Sequence, residues 1–191
     1  MKKKFSCLQG CSDCCIFREY YPSVEYGKIG VLLLPEEKAS VERLAKNLGT
    51  KVRIIPRLAV GKNSPERIIA YQMMGKNEDG DLCPFLDVES KERSPHGGFK
   101  CKIYSNRPLA CRAYPVIDVL GNTARFDPHC QFCKKFSTSK ASSEGLQREI
   151  EALAKIRASV NSDDDDTSIW RYATATGKSN GLYPEGWILE R

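Results

Sequence analysis

The sequence contains no long apolar run. A helix needs about 18 or more consecutive apolar residues to cross a bilayer, and the run Val31-Leu32-Leu33-Leu34 is far too short. The basic start, Met1-Lys2-Lys3-Lys4-Phe5, is not followed by the apolar stretch of about 7–15 residues that a secretory signal contains. We therefore expect no membrane association and no secretion, and the cytoplasm is the expected compartment.

The signatures of several common functional classes are also missing. No Ser-His-Asp arrangement or H-E-x-x-H pattern can be identified, and Gly97-Gly98 is too short for a phosphate-binding loop. The net charge of +6 is modest, and the basic residues are scattered among acids. Because nucleic-acid binding needs clustered charge and a recognisable module, we expect no nucleic-acid partner.

What the chain has instead is cysteine: nine in 191 residues, an odd number that cannot pair completely in disulfides. Four of them fall in the segment 7–15 with the spacing C-x3-C-x2-C-C, at Cys7, Cys11, Cys14 and Cys15. Gly10 permits a tight curl of this segment. In a reducing compartment such a pattern favours metal binding, although a disulfide knot or a cluster of thiols is the alternative.

The other five cysteines form one pair and three single positions. Cys130-x2-Cys133 has the spacing of a metal-binding knuckle. Single cysteines are more often small buried apolar residues than ligands, but beside two clusters we predict that they also bind metal. The predicted ligands are Cys7, Cys11, Cys14, Cys15, Cys83, Cys101, Cys111, Cys130 and Cys133.

Soft thiolate ligands favour zinc or an iron–sulfur cluster. Cys14 and Cys15 are adjacent, so their side chains diverge and one or two centres are possible. The C-x3-C-x2-C spacing also occurs in radical S-adenosylmethionine enzymes, but the chain lacks their strand–helix alternation. We expect a 4Fe–4S cluster or zinc, with a slight preference for the cluster, because the first loop supplies three ligands and a distant cysteine supplies the fourth.

Three charged or titratable residues lie beside the cysteines. Arg107 and Arg112 flank Cys111, where they offset the charge of a cluster, hold an anionic substrate or pair with surface acids. His129 precedes Cys130 and is either a further ligand or an ordinary hydrogen-bonded histidine. His96 lies in a glycine-rich turn and is expected at the surface.

The hydrophobic pattern predicts an α+β fold, namely a small irregular cysteine-rich metal-binding domain with short hairpins and a C-terminal helical extension. Residues 1–139 form the predicted metal-binding domain, and residues 140–191 the helical extension packing on it. In the first part of the chain the expected elements are a helix from Pro35 to Gly49 and a hairpin over 50–74 with a short or edge strand at Pro56. The cysteine-bearing elements that follow are paired short strands carrying Cys83 and Cys101 and a helix presenting Cys111. The remaining elements are a hairpin around Gly121-Asn122, a polar linker over 134–143, a helix over 146–154, and a last helix over 167–172 that follows the acids 163–166 and ends near Gly177.

The ordered motifs resemble a known family. They are Phe5-Ser6-Cys7, Cys11, Cys14-Cys15, Cys83-Pro84-Phe85-Leu86, Cys101-Lys102-Ile103-Tyr104 and Arg107-Pro108-x2-Cys111-Arg112-x-Tyr114-Pro115. Over residues 5–133 this chain resembles the YkgJ-type cysteine-cluster family, which is described as a zinc- or iron-chelating domain. The resemblance implies that Cys7, Cys11, Cys14, Cys15, Cys83, Cys101 and Cys111 occupy the family's cysteine positions. Tyr114 stands where the family often has phenylalanine.

The expected function is that of a cytoplasmic protein that chelates an iron–sulfur cluster or zinc through its cysteine thiolates. One branch of the family is similar to flagellin lysine N-methylases, which implies a first alternative, a cluster-dependent protein-lysine methyltransferase or redox enzyme. A second alternative is an accessory protein that delivers metal or docks a partner. The expected partner is a protein, as a substrate or in a complex.

Overall fold

The computed structural model of the chain describes residues 4–17, 20–23, 26–76, 82–160, 167–174 and 186–190. The helices are α1 (Asp13–Ile16), α2 (Pro35–Asn47), α3 (Leu109–Ala113), α4 (Gln131–Phe136) and α5 (Gln147–Val160), with a 3-10 turn over Tyr104–Asn106. The strands are β1 (Tyr20–Ser23), β2 (Gly27–Ile29), β3 (Val31–Leu33), β4 (Ile54–Gly61), β5 (Arg67–Met73), β6 (Leu86–Asp87), β7 (Lys100–Cys101), β8 (Val116–Leu120), β9 (Thr123–Phe126), β10 (Lys140–Ser142), β11 (Ser168–Ala173) and β12 (Gly186–Leu189). The sheets are antiparallel, and the predicted α+β class is confirmed.

The chain divides into two compact units. The first unit comprises Met1–Ile16 and Phe85–Arg157, and the second comprises Phe17–Pro84 and Ala158–Arg191. The predicted boundary between a metal-binding domain over residues 1–139 and a helical extension over residues 140–191 stays a prediction. Within the described ranges, no helix has both the length and the apolar character that crossing a bilayer requires.

The second unit is built on a five-stranded sheet with the order β12-β11-β4-β5-β3. Helix α2 begins at Pro35, as predicted, where the Glu37 carboxylate accepts a hydrogen bond of 2.9 Å from the Leu34 amide. Its apolar stripe buries Val41 and Ala45. The helix terminates before Gly49, whose φ of +61° is in the left-handed region that glycine adopts readily.

Strands β4 and β5 form the predicted hairpin, but the prediction of a short or edge strand at Pro56 is wrong. Strand β4 has eight residues and lies in the centre of the sheet. The reason is that β11 pairs only with Leu58 to Gly61 of β4. Pro56 therefore lies beyond the part of β4 that β11 covers, next to a register shift, and its missing N–H interrupts no pairing with β11.

The helix predicted over residues 167–172 is also wrong, because Ser168–Ala173 is strand β11. Its β-branched and aromatic residues, including Ile169 and Trp170, suit a strand, and β4 and β12 supply pairing partners on both sides. The acids 163–166 and Gly177 lie outside the described residues. Of the two helices predicted for the C-terminal part, only α5 is a helix within the described ranges.

The first unit has a three-stranded sheet of order β10-β9-β8, which includes the predicted hairpin around Gly121-Asn122. One face of this sheet packs its buried residues against Phe132, Cys133 and Leu146. The predicted polar linker over 134–143 is wrong, since α4 continues to Phe136 and β10 pairs with β9. The polar pattern of this segment arises because two of the three β10 residues, Lys140 and Ser142, lie on the opposite face from the buried Ala141.

Two further expectations concern cysteines in short elements. Strands β6 and β7 pair as predicted, with Leu86 opposite Cys101. Cys83 precedes β6 and is not part of it, so only one of these paired strands carries a thiol. Helix α3 presents Cys111, as predicted.

Gly30 provides a test of the packing in the second unit. A Cβ at this position would lie 2.3 Å from the Met73 carbonyl oxygen, whereas a Cβ at Gly186 would meet no atom within 4 Å. We expect Gly30→Ala to lower the free energy of unfolding by about 1–3 kcal/mol, the usual cost of overpacking. Urea denaturation followed by circular dichroism measures this, with Gly186→Ala as the control. Equal stability of the two variants contradicts the prediction.

Candidate metal centre

The first cysteine loop is a tight turn followed by one turn of helix. Gly10 has a φ of +75°, and the Cys11 amide donates to the Leu8 carbonyl at 3.1 Å. The chain then enters α1, where the Cys15 amide donates to the Ser12 carbonyl at 2.8 Å. Cys11 therefore lies before the helical turn, and Cys14 and Cys15 lie on it, with their sulfurs 3.9 Å apart.

Residues 94–99 hold this loop in place through hydrogen bonds and a close backbone approach. The Ser12 hydroxyl, which is buried, accepts a hydrogen bond of 2.7 Å from the Phe99 amide. The Gly10 amide donates to the His96 carbonyl at 2.6 Å. A Cβ at Gly98 would lie 2.3 Å from the Cys11 carbonyl oxygen, so the two segments approach at a distance that only glycine permits.

The Cys130-x2-Cys133 pair lies at the start of α4. Cys130 is the N-cap residue of α4, and its side chain makes no capping hydrogen bond. The Cys133 amide donates to the Cys130 carbonyl at 2.9 Å. The Phe132 and Cys133 amides act to lower the pKa of the Cys130 thiol, although burial, the main cause, raises that pKa overall.

A side-chain hydrogen bond joins the two cysteine motifs. The Gln131 amide nitrogen donates to the Asp13 carboxylate across 118 residues of sequence. Asp13 is next to Cys14, and Gln131 is next to Cys130. The bond therefore brings the first cysteine loop to the start of α4.

An aromatic cluster fixes the segment that leads into the first loop. The ring of Phe5 lies 5.0 Å from Phe126 and 5.1 Å from Phe132, measured between centroids in tilted and edge-on arrangements. Phe132 and Cys133 are buried in the same core. Because aromatic pairs in such geometry are favourable beyond their burial, Phe5 anchors the chain two residues before Cys7.

The electrostatics show that four thiols are close enough to interact. The pKa of Cys7 is raised to about 11, first by burial and then by the charges of Cys14, Cys130 and Cys11. The pKa values of Cys11 and Cys130 are also raised, in both cases mainly by burial. Burial likewise raises the pKa of Cys133 to about 11, with Cys130 as the next cause.

Two cations oppose this accumulation of negative charge. Arg107 lowers the pKa of Cys7, and Lys134 lowers that of Cys11, although neither is the main cause of the net shift. The Arg107 guanidinium lies over the Tyr104 ring at 3.9 Å and donates to the Tyr104 carbonyl at 3.0 Å. Of the predicted roles for Arg107, its effect on the pKa of Cys7 favours the offset of thiolate charge.

The remaining predicted ligands lie in other elements. All nine cysteines fall within the described residues and are in the thiol form. Cys101 on β7 and Cys111 on α3 are half-buried parts of the first unit, while the buried Cys83 belongs to the second unit. Which of the nine predicted ligands bind metal stays a prediction.

The described residues contain no preformed site for a single ion. No three histidine, cysteine, aspartate or glutamate side chains among them are arranged to hold one. His129 is paired with Asp127 at 2.9 Å, and its side chain is 69% exposed. The donor set nevertheless fits a soft metal group, since Cys7, Cys11, Cys14 and Cys130 are thiols on loops tied to one another.

Sequence reasoning missed Gly98, Ser12 and Gln131. The consecutive glycines 97 and 98 were a usable signal, because such a pair often marks a close approach of two backbone segments. Gln131 carried no signal, since one amide inside a C-x2-C motif has no characteristic pattern.

A comparison with known protein families identifies a domain that covers the cysteine-containing region of the chain. The family model CxxCxxCC, described as "Putative zinc- or iron-chelating domain", matches residues 6–141, which is more than half of the chain. Neither the curated proteins nor the solved structures gave a match. The matched span contains all nine cysteines.

Gly98 provides a test of the support beneath the first loop. We expect Gly98→Ala to displace the Cys11 carbonyl and to reduce the metal retained after purification by about tenfold, because small errors in ligand position are costly. Metal analysis of the purified protein measures the loss, and Gly186→Ala is the control. Full retention by Gly98→Ala would show that the glycine contact does not position the loop.

Proposed function

Because the chain belongs to the CxxCxxCC family of zinc- or iron-chelating domains, we propose that its first unit holds a 4Fe–4S cluster on four thiolates. Cys7, Cys11 and Cys14 supply three of them from the first loop. Cys130 supplies the fourth from the start of α4. The observation that carries the proposal is the Asp13–Gln131 hydrogen bond, which joins the two loops that bear these thiols. The thiols also raise one another's pKa.

The arrangement of potential ligands in the described residues favours a cluster over a single ion. A tetrahedral zinc ion with Zn–S bonds of about 2.3 Å requires sulfurs about 3.8 Å apart. Within the described residues, no three side chains converge in such a group. In a 4Fe–4S cluster each thiolate binds a different iron atom, so its ligands lie farther apart.

The surroundings of the four thiols suit an anionic metal–thiolate centre. Arg107 and Lys134 place positive charge near Cys7 and Cys11. The Phe132 and Cys133 amides favour the thiolate form of Cys130, against the larger opposing effect of burial. A bound cluster supplies one-electron redox chemistry, while the protein supplies the ligands, the charge balance and the aromatic packing.

The same chemistry supports a cytoplasmic location. Nine thiols in one small chain persist where the compartment is reducing, and an oxidising compartment would convert many of them to disulfides. Cytoplasmic function is therefore part of the proposal.

Metal analysis of protein purified without oxygen tests the identity of the group. We expect about four iron and four inorganic sulfide per chain, with the brown colour and visible absorption of an iron–sulfur cluster. Purification in air serves as the comparison and should bleach the protein. A colourless anaerobic preparation with stoichiometric zinc overturns the cluster while leaving the metal-binding site intact.

Serine variants test the ligand set. We expect Cys7→Ser, Cys11→Ser, Cys14→Ser and Cys130→Ser each to lower the iron content by at least about tenfold, because each removes a thiolate from the cluster. Cys101→Ser and Cys111→Ser are the matched controls from the same unit and should retain iron. Circular dichroism checks that each variant is folded. Equal losses in the two groups of variants contradict the assignment of these four ligands.

A further inference from the structure

The three-stranded sheet of the first unit has an open cavity on the face opposite its core. Ala124 is buried on the inner face, whereas Thr123, Arg125, Lys140 and Ala141 are among the residues that line the cavity, which has a volume of about 660 Å³. Ligand sites of small organic molecules typically have volumes of about 300–1,000 Å³. The cavity is thus large enough for such a molecule.

A row of charged residues crosses the floor of this cavity. Asp118 on β8 is opposite Arg125 on β9, which in turn is opposite Lys140 on β10. The Asp118 carboxylate lies 3.6 Å from Arg125 and accepts a hydrogen bond of 2.9 Å from Arg157. One carboxylate therefore serves two guanidinium groups, and these charges hold the pKa of Asp118 below its usual value, with the Arg157 hydrogen bond as the main cause.

Lys140 remains as surplus positive charge in this row. The structure gives it no ion pair with any residue in the described ranges. Its cross-strand neighbour is Arg125, and like charges directly opposite each other in a sheet are destabilising. Such a pair is relieved when an anion lies between the two cations.

The walls next to the charged row are partly apolar. Leu120, at the end of β8, is 84% exposed, the highest value among the large apolar residues described as exposed. The Phe136 ring lines the other side, packed edge-on against Phe132 at 4.9 Å between centroids. The hydroxyls of Thr123 and Thr138 add polar groups to the lining.

We propose that this cavity binds a small organic anion, a carboxylate attached to an aromatic or aliphatic body. Arg125 and Lys140 receive the carboxylate, because together they present the uncompensated charge. Leu120 and Phe136 cover the apolar body, which explains an exposed leucine beside a charged row. The site is separate from the proposed cluster ligands and does not depend on the identity of the metal.

Titration of the full-length ¹⁵N-labelled protein with 3-phenylpropionate tests the proposal, with 3-phenylpropanamide as the uncharged probe of the same shape. We expect the acid to shift amide signals of residues 118–125 and 136–141 in NMR spectra. The amide should bind about two- to fivefold more weakly, the range of a solvent-exposed ion pair. Equal binding of the acid and the amide, or shifts confined to other residues, overturns the proposal.

Two variants assign the contributions of charge and apolar contact. Lys140→Met should abolish the preference for the acid over the amide, while Lys91→Met, an exposed lysine outside the cavity lining, should leave the preference unchanged. Leu120→Ser should weaken the binding of both probes. Because the Leu120 side chain is exposed, we expect this variant to fold. An unchanged preference in Lys140→Met, or unchanged binding in Leu120→Ser, contradicts the proposed site.

Discussion

The hydrogen bond from Gln131 to Asp13 is the constraint on which the geometry of the proposed metal centre depends. The thiols themselves cannot hold the two cysteine motifs together, because each thiolate raises the pKa of its neighbours and so opposes further ionisation. The attraction must come from the residues between the cysteines. Asp13 and Gln131 provide it, since each is adjacent in sequence to a cysteine and their bond links helices that are distant in the chain.

Other contacts extend the same principle to the rest of the first unit. Ser12 fixes the loop to the Phe99 amide, Gly98 lets the two backbones approach, and Phe5 holds the entry to the loop in the aromatic core. These contacts fix the segments that carry the proposed ligands. A metal group bound there would stabilise the thiolates that otherwise repel one another.

The sequence predicted elements whose signals are local. Helix α2 follows from the apolar spacing after Pro35, and the β8–β9 hairpin follows from Gly121-Asn122. Strand β11 could not be predicted in the same way, since its stability depends on β4, more than 100 residues earlier. The spacing of the cysteines likewise predicted thiolate chemistry but not which sulfurs would be neighbours, because that depends on long-range contacts such as Asp13–Gln131.

The β10-β9-β8 sheet shows how one small element can serve two sites. Ala124 and Phe126 on its inner face belong to the core that carries Phe132 and Cys133. Arg125 lies between them in sequence, so the alternation of a strand directs its side chain to the opposite face. A substitution at Ala124 therefore acts on the support of the cysteine motif, while one at Arg125 acts on the outer cavity. Because the side chains of Ala124 and Arg125 point in opposite directions, the proposed metal centre and the proposed anion site can be altered separately at these two positions.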